Sequence, residues 1–375
     1  MVVCAGTSWD GVWFPEKHIA DRLTDFAPIL YVDPPVSVLT RWRDPARAAS
    51  LKGPRLRLIR PGLARLTPVI PPGIHRLGFP EVGDWHLRHQ VRRYTSMLTN
   101  RVHAVVAAAP SDPFGACDEQ LRVVFATDDW VAGAQLMGIA EGQIRRAEAR
   151  LAAKADLVVA VSETLADRWR DRGPDTVLIP NGCDSVAFAL TDEASSPDDV
   201  DLPHPIAGFI GHLSDRIEVS LLEAVAERGR SVLLVGPRQS TFDIHRLDRL
   251  MARPNVRWVG ARPFEQLPSY MRLVHVGMTP YGDTPFNRAS FPLKTLEYLA
   301  AGRGAVATEL PAVRWMDTDL VRVASTPGAF ADAVDTALDE PRTPELAGRR
   351  RAFATQHGWA ARTARFAKCL DIQER

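Results

Sequence analysis

Two groups of residues in this 375-residue chain have the types and spacing to do chemistry. The first is Lys294 and Glu297, three apart in the stretch PLKTLEYLAAG. Leu293, Leu296 and Ala300 repeat there at helical spacing, Pro292 suits a first helical turn and Gly302 a helix stop. A helix N-terminus leaves its first N–H groups unpaired and carries partial positive charge. With a lysine beside it, such an end can hold a diphosphate, and a carboxylate one turn further on can accept from ribose hydroxyls. Asn287 and Ser290, just before, add side chains able to hydrogen-bond a polar ligand. The same residues also fit a surface helix with one ion pair. The second group is Asp128 and Asp129, directly after the apolar run Leu121–Phe125. Open α/β sheets place their ligand crevice at the C-terminal ends of strands, where a carboxylate can serve as general base. Adjacent acids in a loop are also commonly no more than solvated.

The elements that must position these groups follow from periodicity. In the first half, residues 2–6, Ile29–Val32, Val102–Ala109, Leu121–Phe125, Asp156–Val161 and Thr176–Pro180 read as strands. Helical patterns cover Glu16–Leu23, Ile144–Lys154 and Glu163–Arg170, the last with Ser162 as N-cap. Asp10 lies in the first loop and His18 on the first helix; His18 reads first as a packing or surface histidine and second as an acceptor contact. In the second half, strands are expected at Ile206–Ile210, Ser231–Val235, Val256–Val259, Val274–Thr279 and Ala305–Ala307. Between the halves, TDEASSPDDVDLPHP is acidic, rich in Pro and Ser, and without apolar period. The expected division is therefore a domain at 1–190, a linker at 191–205, a domain at 206–352 and a terminal helical segment at 353–375. Strands alternating with helices in both halves indicate α/β architecture with two Rossmann-like domains and parallel sheets. The dinucleotide fingerprint G-x-G-x-x-G is missing, which disfavours NAD.

Bulk properties narrow the classes. A net charge of +1 offers no global attraction to nucleic acid. The four cysteines form no C-x2-C pair, which suggests a reducing compartment and no metal site. Asp199-Val200-Asp201 and Asp317-Thr318-Asp319 mimic a D-x-D metal motif but read as solvated loops. No signal peptide or membrane span is apparent, so a cytoplasmic protein is expected. Residues 41–101 stand apart, with thirteen Lys/Arg against three Asp/Glu, dense proline, and Trp42, Leu51, Leu58, Leu63, Leu66, Phe79 and Trp85 interspersed. They read either as an irregular solvated insertion, with no long helix before about Asp84, or as a basic, partly apolar surface meeting an anionic membrane or a lipid-linked acceptor.

PLKTLEYLAAGRGAVAT, followed by ELPAV, resembles the donor-nucleotide motif of GT-B glycosyltransferases, P-x-K-x-x-E-Y-L-A-x-G-x-x-V-V-x-T. GFIGHL, VLLVGP, VRWVGARPFEQLPSYM and VHVGMTPYGD extend that resemblance over residues 206–325, and ADLVVAVSETL and IPNGCD resemble the end of the acceptor domain. Closest in character are bacterial glycosyltransferases of exopolysaccharide and teichuronic-acid assembly. The resemblance implies two domains facing a cleft, with a C-terminal helix crossing back to the first. It implies transfer of a sugar from a nucleoside diphosphate sugar, most often UDP-linked, to a saccharide or lipid-linked acceptor, without a metal or other cofactor. Glu297 falls at the second glutamate of the family's E-x7-E pair, which holds the ribose; Ala289 stands where the first would be. Lys294, the backbone of Gly211 and His212, and the hydroxyl of Tyr281 would stabilise the leaving diphosphate. Asp128 would be the base, with Asp129 beside it and Asp10 in reserve, and with Ala289 this favours inversion. A sugar-nucleotide 2-epimerase and a non-catalytic nucleotide-sugar-binding partner on the same fold are the alternatives.

Overall fold

Strands buried on both faces are near-continuous apolar runs, because a parallel sheet is covered by helices above and below. The computed structural model describes residues 1–11, 13–37, 53–71, 80–240 and 242–374. They form two compact units, Met1–Pro180 with Arg362–Arg375, and Asn181–Ala361.

The first unit holds β1 (Val2–Cys4), β2 (Ile29–Val32), β3 (Leu56–Arg60), β4 (Leu63–Leu66), β5 (Ala104–Ala107), β6 (Leu121–Ala126), β7 (Leu157–Ala160) and β8 (Asp175–Leu178). Their order is β3-β4-β2-β1-β5-β6-β7-β8, parallel except for β3, which runs antiparallel to β4. The order reverses at β1, which pairs with β2 on one side and β5 on the other. The basic stretch is less irregular than its prolines suggest. Pro61-Gly62, with Gly62 at φ +80°, makes the tight turn between β3 and β4, and β4 is wholly buried beside β2. A helix then runs Pro80–Thr95, starting ahead of Asp84 because proline is accommodated in a first turn. Trp42, Leu51 and Phe79, with residues 41–52 and 72–79 generally, lie outside the described residues. The terminal segment belongs to this unit from Arg362 rather than from 353. Phe366 meets the ring of Phe125 edge-on at 5.2 Å, and His103 Nε2 donates to the Leu370 carbonyl at 2.6 Å.

In the second unit, β9 (Ile206–Ile210), β10 (Ser231–Val235), β11 (Val256–Trp258), β12 (Val274–Thr279), β13 (Gly304–Ala307) and β14 (Val321–Val323) are all parallel, in the order β11-β10-β9-β12-β13-β14. This is the doubly wound arrangement with its reversal between β9 and β12. Residues 191–205 are not a free linker. Thr191 is fully buried, and the Asp192 carboxylate takes Arg303 and Arg351 at 2.5 Å and Arg342 at 3.4 Å. Asp199 accepts from Arg262 and Tyr270. The partners of these acids come from far along the chain, so the segment's own composition gave no sign of them. Trp359 is buried in this unit, its N–H donating to Cys183 O.

Candidate active site

The Leu293–Ala300 helix is seated by Tyr298. Gly277 of β12 has no side chain, and a Cβ there would lie 2.0 Å from the Tyr298 ring. That close approach lets the Tyr298 hydroxyl accept from Ile210 N at 3.0 Å and donate to Met278 O at 3.3 Å. The helix is thereby fixed to the C-terminal ends of both strands at the reversal point. Pro292 is its N-cap rather than its first residue, and no side chain caps it. The Leu293 N–H donates to Phe291 O at 3.0 Å, and the amides that follow it in the first turn are left for solvent or a ligand.

From this helix Lys294 crosses the end of β9. A Cβ on Gly211 would stand 2.8 Å from Lys294 Cε, and one on Gly236 (φ +139°) 2.0 Å from Gly211 O. Two glycines thus let the backbones and the lysine stem meet. Lys294 Nζ is 3.8 Å from Glu297 Oε2, and both side chains stay partly accessible, at 28% and 15%. His212 is held below its usual value by burial, which the charges of Arg216 and Lys294 reinforce and Asp215 opposes. The imidazole is thus kept neutral, and the cations there, Arg216 and Lys294, stand with the carboxylates of Asp215 and Glu297.

Several expected contacts are taken up by the fold. The Gly211 N–H donates to Val235 O, continuing the β9–β10 ladder, so Gly211 contributes shape rather than a donor. Asn287 lies in a short helix, Pro285–Ala289, not a loop, and its amide is engaged at both ends: Nδ2 donates to Arg216 O and Gly282 O, each at 2.8 Å, and Oδ1 accepts from Arg216 Nε at 2.9 Å. The Ser290 hydroxyl donates to Phe286 O. Tyr281 is buried, with Arg216 lying 4.8 Å from its ring. Arg216 is the residue that sequence reasoning missed. It sits in an unpatterned turn, and only the fold shows Asn287 and Tyr281 orienting it. Ala289, at the end of the short helix, is buried.

In the first unit the two neighbouring acids part company. Asp129 pairs with Arg168, which also reaches the fully buried Glu148 at 2.6 Å, and Asp129 Oδ1 accepts from Ala132 N at 2.9 Å. It stitches the loop after β6 to the Glu163–Arg170 helix, and that is a structural duty. Asp128 is half-buried, and its charge raises the pKa of Glu16. Glu16 itself is pushed up to about 7, first by burial; Thr7 Oγ1, donating at 2.8 Å, opposes the shift. His18 is a packing histidine, tilted onto Trp13 at 4.9 Å and pushed down to about 3 by burial and by Arg22 and Lys17. Asp10 is exposed but paired with Arg65 and Arg57; burial acts to raise its pKa, and these two cations more than offset that. Arg65 is fully buried, donating to the buried Asp33 at 2.6 Å. No group of residues that could hold a metal ion is found among the described residues.

Comparison with known proteins bears on both units. Residues 204–340 match the family model described as glycosyl transferases group 1. The putative teichuronic acid biosynthesis glycosyltransferase TuaH of Bacillus subtilis (strain 168) is 29% identical over 243 residues, 62% of this chain and 60% of that relative's length. Sucrose-phosphate synthase from Thermosynechococcus elongatus superposes with a TM-score of 0.72 at 14% identity, over 99% of this chain and 98% of that one. Anabaena HepE, solved with UDP and glucose, gives 0.65 at 15% over 99% of each chain. An Escherichia coli trehalose-6-phosphate protein bound with UDP-2-fluoro glucose gives 0.69 at 11% over 98% of each. The chain thus has the GT-B fold, and its residues 204–340 are similar to the glycosyl transferases group 1 domain.

Proposed function

We propose that the protein is a glycosyltransferase that moves a sugar from a nucleoside diphosphate sugar, UDP-linked, to an acceptor hydroxyl in polysaccharide or glycolipid assembly. The observation that carries this is Lys294 laid across Gly211 at an uncapped helix start, with Glu297 one turn on and accessible. An acceptor oxygen attacks the anomeric carbon, the bond from that carbon to the diphosphate breaks, and its electron pair leaves with the nucleoside diphosphate. Lys294, Arg216 and the amides that follow Leu293 in the first turn neutralise the developing charge without a metal ion. Glu297 accepts from the ribose hydroxyls. Asp128, of the first unit, takes the acceptor proton, and with Ala289 in place of a carboxylate we assign inversion. The similar structures solved with bound UDP support uridine, and the similarity to a teichuronic acid biosynthesis glycosyltransferase supports a polysaccharide.

No helix among the described residues is long and apolar enough to cross a membrane. We place the protein in the cytoplasm, touching the inner membrane face. Leu58, 74% exposed between Arg57 and Arg60, supports that contact, as does Trp85, 55% exposed on a helix that ends in Arg92 and Arg93. Each such cation near anionic lipid contributes about 1 kcal/mol. Sedimentation with phosphatidylglycerol vesicles, but not phosphatidylcholine, is the expected outcome.

The decisive experiment is a thermal-shift screen against UDP-, GDP- and dTDP-sugars, in which stabilisation grows with the logarithm of ligand over Kd. UDP-sugars are expected to raise the melting temperature in EDTA. No shift with any of them rejects the reading. An anomer-resolved NMR product assay showing retention rejects Asp128 as base.

A further inference from the structure

The loop after β1 is held far more tightly than a solvated surface loop needs. Arg65 donates to Ser8 Oγ at 3.0 Å and pairs with Asp10, while Asp33 accepts from Trp9 N at 2.9 Å and from Thr67 at 2.8 Å. Tyr31 OH donates to Thr7 O at 2.8 Å. Three buried residues, Tyr31 of β2, Asp33 just after it and Arg65 of β4, thus hold the segment from Thr7 to Asp10, and buried Thr67 holds Asp33 in turn. A buried ion pair adds little net stability. What this one does is give the loop a single shape.

That shape presents rings. Trp9 stands edge-on to Tyr31 at 5.0 Å, and Trp13 lies 6.2 Å from Trp9. Lys17 Nζ, which donates to Gly11 O at 3.1 Å, sits 4.3 Å from the Trp13 ring and 5.2 Å from the Trp9 ring. His18 backs Trp13. Trp13 and Phe14 nevertheless remain 38% and 42% exposed; among the described residues Trp85 is the more exposed ring at 55%, and most of the others are buried or half-buried. The Asp10 carboxylate and the Arg57 guanidinium, both partly exposed and paired at 3.3 Å, belong to the same loop network. The cluster follows the C-terminal end of β1, at the reversal of its sheet, where open α/β sheets bind ligands.

We infer that Trp9, Trp13 and Phe14 form a stacking platform for a pyranose ring of the acceptor, with Asp10 and Arg57 hydrogen-bonding its hydroxyls. This rests on the glycosyltransferase reading and names the acceptor's chemical class as a saccharide. A pyranose has a C–H face for an aromatic ring and a rim of hydroxyls for charged groups. A lipid chain would cover Asp10 and Arg57 without replacing their bonds to water, which costs binding energy. A loop fixed beforehand also spares the ligand the cost of ordering it.

The test is fluorine NMR of the full chain labelled with 5-fluorotryptophan, with resonances assigned by single Trp→Phe variants. Methyl glucoside, cellobiose, N-acetylglucosamine and glucuronic acid are titrated in parallel with phosphatidylglycerol vesicles. At least one sugar is expected to shift the Trp9 and Trp13 resonances while that of buried Trp169 stays. Trp13→Ala should weaken this binding at least threefold, and Trp13→Tyr should largely retain it. Shifts with vesicles alone, or no response to any sugar, overturn the proposal. UDP-induced thermal stabilisation is measured on the same samples. If it persists while the sugars fail, the platform is wrong and the donor reading stands; if it is absent while the sugars bind, the reverse holds.

Discussion

Both units reverse their strand order beside the first strand of their sheet, yet they finish that strand in opposite ways. In the second unit the end of β9 is built by subtraction: Gly211, Gly236 and Gly277 remove side chains so that a lysine stem, a carbonyl and a tyrosine ring can occupy the space. In the first unit the end of β1 is built by addition, from Arg65, Asp33, Asp10, Thr7 and Glu16 bonded to one another. A diphosphate has a constant shape that backbone and one or two cations can match. A loop that presents rings has no such template and must be held by side chains.

That contrast can be broken at several points. Lys294→Ala is expected to lower kcat/KM by about 10³-fold, as loss of a group stabilising the developing charge does, with the melting temperature unchanged. Steady-state kinetics and calorimetry check both halves. Asp33→Ala leaves the buried Arg65 guanidinium with Asp10 as its remaining carboxylate and should cost about 3 kcal/mol by urea unfolding, whereas among the described residues no comparably buried charge lies at the end of β9. Asp128→Asn should reduce kcat by about 10²-fold. Asp129→Asn should destabilise the loop after β6 and leave kcat within a few-fold; equal kinetic losses in the two variants would reverse these assignments. Gly211→Ala drives a methyl toward Lys294 and should weaken UDP-sugar binding by about tenfold, read by calorimetric titration.

The smallest effect is a pH dependence. Folded Glu16 keeps its proton up to about pH 7, while the unfolded chain releases it near 4.5. The unfolded state therefore binds fewer protons between those values, and stability falls as pH rises through that window. His18, pushed down to about 3 from 6.5, acts in the opposite sense, its contribution rising from about pH 3 to 6.5. The difference between wild type and Glu16→Gln isolates the first effect, expected to change by about 1.4 kcal/mol per pH unit inside that window. A difference that does not change with pH would show Glu16 ionised in the fold.

The sequence by itself determined the repeating strand–helix architecture, because strands covered on both faces must be unbroken apolar runs and the helices must alternate with them. It also determined the helix of Lys294 and Glu297, whose spacing is local. Only the tertiary structure decided which polar residues remain available. Asn287, Ser290, Asp129 and the Gly211 amide all read as free functional groups, and all are satisfied by partners elsewhere in the fold. The hairpin of β3 and β4 was hidden for the same reason: Arg65 is acceptable in a buried strand only because Asp33 and Asp10, distant in sequence, neutralise it. Hydrophobic period depends on near neighbours and can be read along the chain. The satisfaction of a buried charge depends on residues that meet only when the chain has folded.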